Sequence, residues 1–401
     1  MNFRFLSFSP SADYFVIFWG WIFSAISFGI LLPFISIYFI NNLNLSITEV
    51  GYFFLATSIF RAIFQAYGGE ISDKIGRKNV ILFSLFGRSF FLVILCIPFN
   101  FSENFWINII LLAFTYIFSA IFQPVTQAAI ADLVPDSKFL EGFSIIRIGG
   151  NVGWIIGPIM GGYLYEFSKS IYFFISALFS ILGGLIFLLF FKNIDQKYEY
   201  HKRTIYRYIF HNRFFMIFCG ISFFMMLTTS QLLSSLPYYL NKYRNVNPSF
   251  IGYIFSLNGL TVILFQIPIL KLFKNIDSFL GMSLGALLYG SGYFMVGYCT
   301  DTFHYFLIVF IISLAETIVL PLVQSSVVNL SSKTTFGRYM GFFGIISVTG
   351  WSIGPMIGTI ILDNIQSSLL AWLYISSFSL SAGIGYLTIF YKFKKEKRIL
   401  K

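Results

Sequence analysis

This sequence predicts an all-α membrane protein, with twelve transmembrane helices in two six-helix bundles related by internal duplication. Three observations carry that expectation: apolar runs long enough to cross a bilayer recur from end to end, charge is scarce, and the second half repeats the first. Of 401 residues, 57% are apolar and only 11% charged, where a soluble domain carries about 25% charged residues. A hydrocarbon layer about 30 Å thick takes roughly 20 apolar residues in a helix. Runs of that length occupy 14–39, 49–70, 79–98, 105–131, 143–165, 171–191, 214–240, 250–271, 279–299, 304–330, 339–362 and 369–391, leaving almost nothing for a separate soluble domain. The first run is too long, and its flank too poor in cations, for a cleavable signal peptide, so it counts as a span.

The duplication shows as residues that recur at an offset of about 200 positions. Gly51, Tyr52, Phe54, Phe64 and Gln65 of the second span return as Gly252, Tyr253, Phe255, Phe265 and Gln266 of the eighth. Pro124 and Gln127 return as Pro321 and Gln324, and Gly153, Trp154, Gly157 and Pro158 return as Gly350, Trp351, Gly354 and Pro355. The chain therefore divides into a bundle over 1–191, a linker over 192–213 and a second bundle with a basic tail over 214–401. The linker interleaves cations with Tyr198, Tyr200, Tyr206 and Tyr208, which suits either the headgroup layer or an ordinary solvated loop.

A net charge of +11 would suggest nucleic acid in a soluble protein, but its distribution is a topology signal. Twelve spans put only Lys169, Lys242 and Arg244 on one side; Arg61, Arg88 and Arg147 lie inside spans, and every other cation falls on the opposite side. Positive residues stay cytoplasmic, so both termini are expected in the cytoplasm of a multi-pass cell-membrane protein. Cys96, Cys219 and Cys299 show no paired spacing and are read as packing residues. His201, His211 and His304 are not placed for chemistry, and no P-loop or HExxH is present, so no cofactor, metal or enzymatic activity is expected.

Charge concentrates between the second and third spans in Gly69-x-x-x-Asp73-Lys74-x-Gly76-Arg77-Lys78. Gly76 supplies a turn, and Lys74, Arg77 and Lys78 are cations for the cytoplasmic side. This run resembles, without departure, the loop joining the second and third helices in the major facilitator superfamily of secondary transporters. The fifth span's Gly153-x-x-x-Gly157-Pro158-x-x-Gly161-Gly162 is similar to the pattern of that superfamily's drug:proton antiporters. Together the resemblances cover essentially the whole chain, and they imply two bundles rocking about a central site. They imply further that Asp132, at the end of the fourth span, pairs with Arg77, that Asp73 caps the start of the eleventh helix, and that both latch the outward-facing state. They also imply that the glycine stripe packs against the other bundle and limits leakage. In the second copy Thr359 replaces the last glycine, leaving Gly350, Gly354 and Gly358 as packing residues.

Polar groups inside spans cost energy and mark either function or a structural network. Arg61 and Gln65 share a face of the second span, Gln123 and Gln127 a face of the fourth, and Arg147, Asn151 and Trp154 a face of the fifth. The arginines belong to a structural network or to the substrate cavity, and spacing does not choose between them. Glu316 is the one acid deep in a span, with Ser313 and Gln324 on its face, and it is either a proton-coupling carboxyl or a buried hydrogen-bonding one. The reading that joins these features is a monomeric proton-coupled exporter of small apolar or amphipathic molecules in the lipid bilayer. Uptake of a small anionic metabolite by symport, and a non-transporting receptor or channel, stand as the other readings.

Overall fold

The computed structural model describes residues 11–97, 105–134, 139–192, 210–273, 275–299, 301–330 and 336–399, and every regular element among them is helical. In chain order these are α1 (Ala12–Leu31), α2 (Ile35–Leu43), α3 (Ile47–Ile75), α4 (Arg77–Cys96), α5 (Phe105–Leu133), α6 (Phe139–Phe167) and α7 (Lys169–Phe190). There follow α8 (Arg213–Thr229), α9 (Ser235–Arg244), α10 (Pro248–Phe273), α11 (Ser278–Val296), α12 (Thr302–Leu330), α13 (Phe336–Asn364) and α14 (Ser368–Ile399). Among the described residues ten helical stretches are long and apolar enough to cross a membrane, the first being α1 and α2 joined through a 3-10 turn at Leu32–Phe34. The expected second and fifth spans fall on α3 and α6, the glycine-rich and charged helices outside that ten.

Local chemistry sets the helix ends. Ser11 caps α1 by accepting from the Tyr14 N–H at 3.2 Å, Asn212 caps α8 through Phe215 at 3.0 Å, and Asp277 caps α11 through Phe279 at 2.9 Å. The α1–α2 and α8–α9 stretches both pass through a 3-10 turn and both stop at an asparagine in the left-handed region, Asn44 with φ 53° and Asn245 with φ 52°. Asparagine tolerates that conformation because its short amide bonds locally. Prolines do not end the helices that hold them: α6 runs on through Pro158, which removes one ladder bond without terminating the helix.

Two units of contact divide the chain. The first comprises Met1–Asn44, Ile59–Tyr200 and Asn247–Gly259, so it includes the opening turns of α10. Within it α1 packs along α6 and α7, and α4 packs along α5 and α7. Glycine makes the α1–α6 approach possible. A Cβ on Gly153 would stand 2.9 Å from the Ile26 nitrogen, and one on Gly157 would stand 2.8 Å from the Gly29 Cα, so two backbones meet with no side chain between them. The stripe of Gly149, Gly153, Gly157 and Gly161 therefore seats on α1 of its own unit. A neighbouring face of α6 meets α10: a Cβ on Gly162 would stand 2.7 Å from the Ser249 Cα, and one on Gly252 would meet the Pro158 carbonyl carbon at 3.0 Å.

The second unit comprises Leu45–Ser58, His201–Val246 and Leu260–Lys401. Here α8 packs along α13 and α14, and α11 along α12 and α14. Gly350 and Gly354 repeat the device of α6: their Cβ atoms would stand 2.9 Å from the Phe223 oxygen and 2.6 Å from the Leu227 oxygen. The opening turns of α3 belong to this unit, where Gly51 lies 3.0 Å, measured from its hypothetical Cβ, from the Met356 Cα.

Gly157→Leu drives a branched side chain into the backbone of α1, which cannot yield as a side chain would. Overpacking of this kind costs about 1–3 kcal/mol. A lowered thermal midpoint in detergent and reduced transport are expected, with Gly344→Ala, whose Cβ meets nothing within 4 Å, as a neutral control. Equal midpoints and transport for the two variants would show that α6 does not touch α1 there.

Candidate functional site

The charged loop closes one end of the first unit. Gly76 has φ 93° and ψ 146°, a conformation that a residue with a Cβ adopts only under strain, and it starts α4 in a new direction. That turn aims Arg77 into the bundle, where it is 6% exposed, with its Nε 3.1 Å from Asp132 Oδ2 at the end of α5. The same guanidinium donates to the Ser72 hydroxyl of α3. Three helices are thus tied by one planar group whose fork geometry suits several acceptors. Lys78 donates to the carbonyls of Leu188 at 2.9 Å and Phe191 at 2.6 Å, where the C-terminal carbonyls of α7 lack helical partners. Lys74 is exposed. The side chain of Asp73 lies outside the described residues, and with it the expected cap on the eleventh span, while Gly69 is placed only as part of α3.

Inside the first unit the polar residues separate into two groups. Arg61 of α3 is half-buried and lies within electrostatic reach of Tyr116 on α5. The Tyr116 ring meets Phe28 edge-on at 5.6 Å, and Phe28 meets Trp154 edge-on at 6.3 Å. Gln65, Gln127, Arg147 and Asn151 are half-buried and Gln123 is exposed. Asn151 also lies where α10 approaches: a Cβ on Gly259 would stand 3.4 Å from its carbonyl oxygen. Spacing indicated none of Tyr116, Trp21 or Thr126, yet the Trp21 indole donates to Thr126 at 3.0 Å beside this group. Trp21 and Tyr116 read as ordinary apolar-run aromatics until their neighbours are known.

Arg88 forms the other group. It is 2% exposed, bonded through Nε to Ser180 of α7 at 3.0 Å and through Nη1 to Ser24 of α1 at 3.2 Å, while Ser180 passes its own proton to the Leu85 carbonyl at 2.8 Å. Ser180 and Ser24 are neutral hydroxyls on two neighbouring helices. The residue joins α1, α4 and α7.

In the second unit Glu316 is half-buried midway along α12, one turn from Ser313, whose hydroxyl bonds back to Val309 at 2.6 Å. Its carboxyl acts electrostatically on the hydroxyls of Tyr289 and Tyr293, both fully buried on α11. Gln324 is exposed two turns further on. One acid escaped the sequence reading: Glu166, at the end of α6, accepts the Ser249 N–H at 2.8 Å, while Tyr163 and Tyr253 hydroxyls meet at 2.5 Å one turn deeper. A carboxylate at a helix N-terminus satisfies an amide that has no helical partner. Among the described residues no group of His, Cys, Asp and Glu could hold a metal ion.

Comparison with known proteins adds to this geometry. A family profile described as Major Facilitator Superfamily matches residues 17–239 and again 218–400. A Na(+), Li(+), K(+)/H(+) antiporter of Planococcus maritimus is 23% identical over 413 residues, covering 94% of this chain and 95% of the relative. Multidrug resistance protein MdtG of Proteus mirabilis is 23% identical over 386 residues, covering 91% and 92%. In fold, the chain is similar to a mutant of the peptide transporter POT crystallised with sulfate, with a TM-score of 0.78 at 14% identity over 96% of this chain and 95% of that one.

The Arg77 pair makes a direct prediction. Asp132→Asn leaves a guanidinium that is 6% exposed without its counter-charge, and loss of a charged hydrogen bond costs about 1.5–3 kcal/mol. A clear drop in thermal midpoint is expected, with Asp132→Glu retaining most of the wild-type value. A midpoint unchanged in Asp132→Asn would show that the pair does not form.

Proposed function

The chain belongs to the major facilitator superfamily of transporters, and on that premise we propose that it is a proton-coupled exporter of small apolar or amphipathic molecules, working by alternating access. In this reading α3 and α6, at 29 residues each and about 43 Å long at 1.5 Å per residue, complete twelve spans in two duplicated bundles. Both termini lie in the cytoplasm, the protein acts as a monomer in the cell membrane, and Arg77, Asp132 and Asp73 form the cytoplasmic latch.

The observation that carries the reading is Glu316, the one acid deep in any span. In this reading it holds a proton until a competing cation or the other membrane face removes it. A lipophilic cation and a proton then exclude each other at one carboxylate, which is the minimum that exchange requires. Relatives named as a cation/H(+) antiporter and a multidrug resistance protein point the same way. In this reading Arg61, Gln65, Gln123, Gln127, Arg147 and Asn151 of the first unit and Gln324 of the second serve either the substrate cavity or a structural polar network.

Symport of an anionic metabolite is favoured by one specific observation, the half-buried cations Arg61 and Arg147. Arg88, enclosed among serines, does not add to it. Proteoliposomes loaded with acid separate the readings. The exporter accumulates a lipophilic cation such as ethidium, about tenfold per pH unit for one proton exchanged. Glu316→Gln loses that accumulation while retaining exchange of labelled against unlabelled ethidium. Accumulation by Glu316→Gln equal to wild type would place coupling elsewhere, and accumulation of an anion with the gradient reversed, acid outside, and of ethidium under neither gradient would establish the symporter.

A further inference from the structure

The second unit contains an aromatic ladder that leads away from Glu316. Tyr289 and Tyr293 of α11 stack at 5.6 Å, Tyr293 stacks on Trp372 of α14 at 5.7 Å with the rings 2° from parallel, and Trp372 meets Tyr239 of α9 edge-on at 5.3 Å. All four side chains are at most 1% exposed. Aromatic stacking accounts for the rings but not for their polar atoms. The hydroxyls of Tyr289 and Tyr293 and the indole N–H of Trp372 have no partner in hydrogen-bond geometry. The two hydroxyls nevertheless lie close enough to influence each other and Glu316. A buried polar group left unmatched costs free energy, and phenylalanine would give the same stacking without that cost. Three such groups in sequence, beginning at the one deep acid, are unexplained by packing.

At the far end the ladder reaches charge. The Tyr239 hydroxyl accepts from Arg244 Nε at 2.9 Å, and Arg244 lies at the end of α9, the side to which only three cations were assigned. Levels along the helices agree with a rising path. Gly285 of α11 sits against Ile318 and Val319 of α12, and Gly292 sits against Ile312, so Tyr289 is level with Glu316 and Tyr293 is one turn further out.

We infer that Tyr289, Tyr293, Trp372 and Tyr239 line the route by which protons travel between the outer surface and Glu316. This rests on the coupling role and topology given above. A tyrosine hydroxyl both donates and accepts, so it passes a proton along a chain of water, whereas the indole only donates and anchors water in place. Water held between buried polar groups needs two or more such partners, which the successive rungs supply. No bond other than O–H is made or broken: each proton taken up by one oxygen releases another from its far side.

Of the other ionisable groups on the packed helices, Tyr305 of α12 acts on Tyr239 and Arg244 at the outer end of the ladder, while Cys219 and Asp363 point elsewhere. Cys219 of α8 acts on Tyr386 of α14, whose hydroxyl shares a hydrogen bond with Ser222. Asp363 of α13 acts on Tyr238 of α9, and Tyr305 of α12 donates to the Cys299 carbonyl near Arg244. The two ladder tyrosines, by contrast, act with Glu316 itself.

The test reads Glu316 protonation by infrared spectroscopy after a pH jump on full-length protein in nanodiscs, which needs no substrate. The carboxyl C=O band lost in Glu316→Gln identifies the group. Tyr293→Phe keeps the ring and its stacking and removes one oxygen; it is expected to slow appearance of that band tenfold or more, and Tyr289→Phe to do the same independently. Thermal midpoints equal to wild type show that either variant is folded, and one folded variant suffices. Wild-type rates in the folded variant would overturn the ladder while leaving Glu316 intact. Absence of any titrating band that depends on Glu316 would instead overturn the coupling role on which the ladder rests.

Discussion

Hydrocarbon offers no hydrogen bonds, so every backbone amide and carbonyl inside a bilayer must be satisfied within the protein. That constraint accounts for a chain whose regular elements are all helical among the described residues. It also dictates where irregularity is allowed. The 3-10 turns at Leu32–Phe34 and Ser230–Leu232 are wholly buried, with Gln231 reaching across to the Gly354 carbonyl at 2.7 Å and to Leu227 at 2.9 Å. A disturbed ladder is repaired by a side chain from the same helix and a carbonyl from the neighbouring one.

Because the lipid surrounding is as apolar as leucine, helices gain little by burying apolar area and associate through close fit instead. The two glycine stripes express this. Gly153 and Gly157 on α1, and Gly350 and Gly354 on α8, bring backbones into contact at matching places in the two units. Polar side chains then act as local ties: Ser27 and Ser176 exchange hydrogen bonds between α1 and α7, and Arg88 joins the same pair to α4. Backbone fit and a few hydroxyls thus hold each unit together.

Periodicity and charge made the helices, the loop and Glu316 legible from sequence, because each depends on residue type at fixed spacing. Gly76 was readable as a turn because only its lack of a Cβ suits φ 93°. Partner choice was not readable. The stripe of α6 could have faced either bundle, since small residues announce a close neighbour without naming it; in the structure Gly153 and Gly157 meet α1, while Gly162 meets the start of α10. Arg88, Arg61 and Arg147 looked alike as intramembrane cations; only the positions of Ser24 and Ser180 separate Arg88 as structural. The ladder above Glu316 was hidden for a related reason: Tyr289, Tyr293 and Trp372 are ordinary members of apolar runs, and their meaning lies in hydroxyls left unmatched by three-dimensional neighbours.

The account stands on one exchange, in which a proton and a cationic substrate compete for the carboxylate of Glu316. It is measured most directly without any gradient, by adding ethidium to purified protein in weakly buffered solution and recording the pH. Release of about one proton per ethidium bound by wild type, and none by Glu316→Gln with ethidium still bound, is the predicted result. Binding that releases no proton from wild type, or the same number from both proteins, would contradict it.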